Sequence, residues 1–146
     1  MKALRIVCVL PLLMIMLPSM AHAAGKVAII TGSSHGLGYE LAQLAMSQQM
    51  KLVLVDMRPE ASEQMAAKYR EAGGEAIVLA MDLAKPELRP LVVDEAVAAF
   101  GRVDYLFNNA GYSYIAGPDD LDLGEAKRNF EVNYWAYVDL AQRVLP

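Results

Sequence analysis

The chain has 146 residues, 55% hydrophobic and 21% charged, with a formal net charge of −4. That is enough for one modest domain, and the acidic balance without any basic run excludes a nucleic-acid partner. The single cysteine, Cys8, lies in the N-terminal apolar segment, and the only histidines are His22 and His35. The rest of the sequence therefore offers no disulfide, no cysteine nucleophile and no cysteine- or histidine-based metal site.

Lys2 and Arg5 open the chain, Ile6 to Leu17 is almost wholly apolar, and Ala21-His22-Ala23 precedes Ala24. A basic start, a short apolar run and an A-x-A site are the pattern of a cleavable export signal. The run is shorter than the ~20 residues a spanning helix needs, and Pro11 and Pro18 interrupt it. The expectation is a signal peptide over residues 1–23 and an exported protein. The alternatives are an uncleaved membrane anchor, or an artefactual upstream start that leaves a cytoplasmic protein.

Lys26-Val27-Ala28-Ile29-Ile30 then reads as a strand buried on both faces. Thr31-Gly32-Ser33-Ser34-His35-Gly36-Leu37-Gly38 follows, a turn with glycines spaced G-x-x-x-G-x-G. A first helix is expected from Leu37 to Met50, with Leu37, Leu41, Leu44 and Ala45 as its apolar face. Strand, glycine turn and helix start make an anion site: unpaired helix N–H groups point outward, and glycines let a pyrophosphate approach the backbone. Taken alone, three glycines also fit an ordinary tight turn. A Walker-type phosphate loop is excluded, because Leu37 and Gly38 stand where its Gly-Lys would be.

Lys51 to Asp56 reads as a second buried strand ending in an acid. Pro59 suits the first position of a second helix, which Gly73-Gly74 stops. Glu75 to Met81 is a third strand, closed by Asp82. A third helix is expected from Pro86 to Phe100, irregular at its start because of Pro90 and ended by Gly101. Val103 to Phe107 is a fourth strand, followed by Asn108-Asn109-Ala110-Gly111 and a polar loop to about Leu123. A last helix, Glu125 to Leu145, is amphipathic through Phe130, Val132, Trp135, Ala136, Val138 and Leu140. Strand and helix alternate four times, which predicts an α/β protein, a Rossmann-type doubly wound parallel sheet with strand order 3-2-1-4.

Asp56 lies about 20 residues beyond the glycine turn, where a dinucleotide-binding fold uses a carboxylate to hold the ribose hydroxyls. An acid at a helix entrance is its other reading. A carboxylate there also repels a 2′-phosphate, which favours NAD over NADP, although Arg58 lies close enough to reach such a phosphate. Asp82 ends its strand at the same edge, as an adenine contact or as a satisfied turn carboxylate. Asn108 and Asn109 could brace strand ends or touch a cofactor, and Gly111 permits close approach. Tyr112 and Tyr114 either line a pocket or pack.

The glycine turn, Asp56, Asp82-Leu83, Asn108-Asn109-Ala110-Gly111 and Asn133 together resemble the classical short-chain dehydrogenase/reductases, over residues 25–146. The resemblance implies a Rossmann sheet, NAD or NADP, and hydride transfer between the nicotinamide and a small alcohol or carbonyl substrate. By that resemblance Gly32, Ser34, Gly36, Leu37 and Gly38 cradle the pyrophosphate and the adenosine ribose, with Thr31, Ser33 and His35 in the same motif. Asp56 holds the ribose diol, Asp82 and Leu83 flank the adenine, and Asn108, Ala110 and Gly111 support cofactor and sheet. Asn133 matches the family's catalytic asparagine, which holds a water in a proton relay. Members preferring NADP usually carry a basic residue where His35 or Met57 stands, which agrees with NAD here.

The resemblance also implies a Ser and a Tyr-x-x-x-Lys beyond Asn133. The last serine here is Ser113, the last lysine is Lys127, and no tyrosine has a lysine four residues on. The expectation is a fragment, residues 24–146, that holds the cofactor site without the catalytic pair, with subunits pairing through the last helix. The resemblance leaves an endoplasmic reticulum anchor open at the N-terminus.

Overall fold

The computed structural model describes residues 23–145. The leader expected over residues 1–23 falls outside them except for Ala23. Four parallel strands, β1 (Val27–Thr31), β2 (Lys51–Asp56), β3 (Ala76–Ala80) and β4 (Tyr105–Phe107), form one sheet in the order β3-β2-β1-β4. The expected order 3-2-1-4 is the one found. Ile29 of β1 sits in register between Val53 of β2 and Leu106 of β4.

Successive strand residues point to opposite faces, so each apolar run feeds two cores. Ala28, Ile30, Leu52 and Leu54 meet α1 (Gly36–Ser47) and α2 (Glu60–Glu71) on one face. Ile29, Val53 and Val55 meet α3 (Arg89–Phe100) and α5 (Ala136–Val144) on the other. Each fully buried Val, Leu or Ile side chain contributes about 1.5–3 kcal/mol. A 3₁₀ turn, Pro86–Leu88, precedes α3, and Gly101 closes that helix at φ 77°. This is the irregular start that Pro90 foretold and the stop that Gly101 foretold.

Two helices differ from expectation. In α1 the buried residues are Gly38, Ala42 and Ala45, while Leu37 and Leu44 are 67% and 59% exposed. The helix lies too close to β1 for large residues: a Cβ on Gly38 would overlap the Gly32 carbonyl oxygen. It ends at Ser47 because Gln49 takes φ 56°, which drops Met50 into the core.

The last helix is three pieces, α4 (Leu123–Phe130), a π turn (Glu131–Trp135) and α5. Val132, Ala136 and Leu140, four apart, take the buried line. Phe130 and Trp135 fall off that line and stay 63% and 50% exposed. Ala136 at full burial brings the helix against the core too closely for an aromatic ring there. Among the described residues no helix is long and apolar enough to cross a membrane.

Candidate functional site

The strand order reverses between β1 and β4, and a cleft of about 660 Å³ opens there at the carboxyl ends of the strands. Ligand crevices of open α/β sheets form at this switch point. Of the residues the sequence motifs named, Gly32, His35, Leu37, Asp56, Arg58, Asp82, Leu83, Asn109, Ala110 and Gly111 line it. Thr31, Ser33, Ser34, Gly36, Gly38, Asn108 and Asn133 are not among its lining residues.

The glycine turn is locked from behind. The buried Thr31 hydroxyl donates to the Phe107 carbonyl at 3.2 Å and accepts from the Asn109 and Ala110 amides at 2.9 and 3.0 Å. Asn109 Nδ2 donates to the Thr31 and Gly32 carbonyls at 3.0 and 3.2 Å. Gly32 has φ 66°, and a Cβ there would lie 2.8 Å from Ala110 Cα. Gly36 has φ 56° with open space around its missing Cβ. These bonds join β1 to β4 and leave the loop backbone close to the cleft. His35 caps α1 without a side-chain hydrogen bond, and among the described residues no side chain claims the first-turn amides. Those amides and the helix dipole make the positive end of the site.

Ser33 and Ser34 turn inward rather than toward the cleft. Both hydroxyls share the Ser62 hydroxyl of α2, at 2.8 and 2.9 Å, and all three residues are buried. The Ser34 amide instead donates to Asp56 Oδ2 at 3.0 Å, and the Arg58 amide donates to Oδ1 at 2.9 Å. Two backbone donors thus fix the Asp56 carboxylate at the cleft wall and leave it further acceptor capacity.

Asp82 is already engaged. Its Oδ1 accepts from the Ala84 amide and its Oδ2 from Arg128, both at 3.0 Å. It therefore holds its turn and bridges the sheet to α4 while still lining the cleft with acceptor capacity to spare. The hydrogen bond to Asp82 raises Arg128 above its ordinary value against the effect of burial, and the Asp82, Tyr112 and Glu125 charges add to it. Asn108 Nδ2 donates to the Tyr137 carbonyl at 3.1 Å, tying β4 to α5, while its buried Oδ1 has no partner among the described residues. Burial raises the Tyr137 hydroxyl.

Asn133 sits in the π turn, and its amide clasps the Tyr112 backbone. Oδ1 accepts from the Tyr112 N–H at 3.1 Å and Nδ2 donates to the Tyr112 carbonyl at 2.8 Å. Tyr112 in turn lines the cleft. Sequence reasoning missed Glu125, Arg128 and Val132, which also line it. Their spacing of three and then four puts them on one helix face, a signal that was present but unused. Among the described residues no group of three or more His, Cys, Asp or Glu could hold a metal ion.

An open parallel sheet, a glycine turn leading into an uncapped helix, and a fixed acid at the end of the neighbouring strand define a nucleotide-binding α/β protein. Residues 26–146 match the short chain dehydrogenase family model. The chain belongs to that family, whose members are oxidoreductases. The 11-beta-hydroxysteroid dehydrogenase A of Sesamum indicum is 33% identical over 125 residues, which cover 84% of this chain and 36% of that protein. A short chain dehydrogenase/reductase from Burkholderia phymatum, solved with NAD, superposes with a TM-score of 0.76 at 32% identity, over 82% of this chain and 43% of that one. One from Burkholderia cenocepacia J2315, solved with NADP, gives 0.79 at 29% identity, over 84% and 50%. The chain thus spans half or less of the length of these relatives.

Proposed function

We propose that residues 24–146 form the cofactor-binding half of an NAD(P)-dependent oxidoreductase acting on a small alcohol or carbonyl compound. The observation that carries this reading is the pairing of Asp56, held by the Ser34 and Arg58 amides, with the uncapped start of α1 across one cleft. An acid for a ribose diol beside a donor array for a diphosphate is the chemistry a dinucleotide requires. The Gly32 and Gly36 backbones leave room for the diphosphate, and Leu83 offers an apolar surface to the base. Asn109 and Thr31 hold the loop rigid, so little entropy is lost on binding. When bound, the nicotinamide group supplies or accepts the hydride. No tyrosine within residues 1–146 has a lysine four residues on, so the Tyr-x-x-x-Lys of the family reaction has no match there.

The test is thermal unfolding of the full chain with rising NADH. Binding to the folded state alone stabilises by about 2.7 kcal/mol at a hundred times Kd. A folded chain whose Tm ignores NADH would contradict the reading. A second reading, a dinucleotide-binding module without turnover, rests on the same pairing of Asp56 with the start of α1. It expects NADH binding with no oxidation of NADH by any aldehyde or ketone.

Two further proposals concern the rest of the chain. Lys2, Arg5, the Ile6–Leu17 run and the Ala21-His22-Ala23 site support export with cleavage after Ala23, and N-terminal sequencing of the expressed protein tests it. The exposed Phe130, Tyr134 and Trp135 support subunit pairing through the last helix; sedimentation showing only monomer at micromolar concentration would oppose it.

A further inference from the structure

Arg89, the first residue of α3, is 3% exposed and does not line the cleft. A buried guanidinium is costly unless its donors are used. Here Nε donates to the Leu83 carbonyl at 2.9 Å, while Nη2 donates to Glu131 twice, to its carbonyl at 3.2 Å and its carboxylate at 2.6 Å. Glu131 begins the π turn. Its carbonyl also accepts from the amide of Ala136, five residues on, where an α-helix would use Trp135. A π turn is a rare register, found mostly as single turns inside α-helices and often at functional sites.

We infer that Arg89 is a positioning residue: its guanidinium holds the π turn open and so keeps Asn133 clasped on the Tyr112 backbone at the cleft wall. The inference rests on the cleft being the cofactor site. One side chain fixes Leu83 on the sheet side of the cleft and the turn that carries Val132 and Asn133 on the helix side. An apolar residue would fill the same space, but it could not set the spacing of three acceptors on two segments remote in sequence. Glu131 is 35% exposed at its side chain, so it does not need Arg89 for solvation. If the turn closes by one residue, α5 rotates by about 100° relative to α4 and Asn133, inside the turn, shifts off the Tyr112 N–H, while Asn129 on α4 keeps its hold on the Tyr112 carbonyl at 2.6 Å.

The test uses the full chain, nitrogen-labelled, with amide exchange read by NMR. Arg89→Met should raise exchange at the Tyr112 amide and the Asn133 side-chain amide by tenfold or more. The Gly32 amide, bonded to the Val55 carbonyl at 2.8 Å, should keep its rate. Glu131→Gln retains an acceptor for the guanidinium and should leave Tyr112 near its parental rate. NADH affinity should fall about tenfold in Arg89→Met and in Asn133→Ala, with little further loss in the double variant, because the two act through one contact. Unchanged Tyr112 exchange in Arg89→Met overturns the inference. So does a rise shared equally by Gly32 and Tyr112, which would assign Arg89 to general stability. Should Arg89→Met prove insoluble, Glu131→Ala loosens the same anchor and is read by the same two amides and the same criteria. A parent chain that does not bind NADH defeats the cofactor reading, while the exchange rates still decide what Arg89 holds.

Discussion

Replacing Asp56 by alanine should shift cofactor preference from NADH toward NADPH. The carboxylate is partly buried at the cleft wall and fixed by the Ser34 and Arg58 amides at 3.0 and 2.9 Å, so it cannot swing away from a ligand. Two unit charges ~4 Å apart repel by about 1 kcal/mol in water and about 4 kcal/mol at an effective dielectric of ~20. Asp56 is open on its cleft side and Arg58 lies beside it, so the smaller figure is the safer one here. The variant removes that repulsion from NADPH, a gain of at least about fivefold. It also takes from NADH a charged acceptor for the ribose hydroxyls, worth about 1.5–3 kcal/mol. Together the NADPH-to-NADH affinity ratio should rise by about fifty-fold or more. Fluorescence titration of both cofactors against parent, Asp56→Ala and Asp56→Asn measures it. Asp56→Asn removes the charge but keeps a side-chain acceptor, so it should recover part of the NADH affinity. An unchanged ratio, or an equal loss of both cofactors, would refute the electrostatic account and reduce Asp56 to a brace for the loop.

Gly36→Val should abolish NADH binding, because its side chain would enter the open space beside the loop and φ 56° strains any β-branched residue there; circular dichroism alongside the titration separates lost binding from lost fold. Asn109→Ala should cost about 1–3 kcal/mol in urea unfolding, because the Thr31 and Gly32 carbonyls lose a shared donor, and it should also weaken NADH. Asp104 closes the opposite end of the sheet, accepting from the Val27 amide, Lys26 and Arg102. Burial opposes its charge, but those hydrogen bonds and the Arg102 charge outweigh it and hold the carboxyl below its ordinary value. A lowered carboxyl stabilises the fold above its unfolded-state value, and that contribution is lost as pH falls through the folded one. The Tm gap between parent and Asp104→Asn should therefore be full at neutral pH and narrow on acidification through the carboxylate range. A gap independent of pH would count against it.

The sheet was legible because its signal is local. Continuous apolar runs closed by Asp56 and Asp82, separated by helical patterns, leave few topologies open, and the glycine turn selects among them. What escaped was decided by tertiary contact. Large residues were expected inward on α1, but the Gly38 approach to Gly32 reserves that face for glycine and alanine and sends Leu37 to the cleft. Ser33 and Ser34 looked like ligand donors, and only the neighbouring Ser62 shows that their hydroxyls face inward. Val132, Asn133, Tyr134 and Trp135 are weak helix formers, but with no Gly or Pro among them nothing local marks a π register; its anchor, Arg89, lies forty-two residues away. Asp82 could be read as a site residue or a turn carboxylate from its position, and the Arg128 bridge needed the fold to appear.

The central claim, that the cleft between β1 and β4 holds a nicotinamide dinucleotide, is tested most directly by mapping NADH onto the backbone of the labelled full chain. Saturable shifts should appear at Gly32, Gly36, Leu37, Asp56 and Ala110, with the groove between α1 and α2 around Tyr39 and Lys68 unaffected. Shifts confined to that second groove, or none at millimolar NADH in a folded chain, would contradict it.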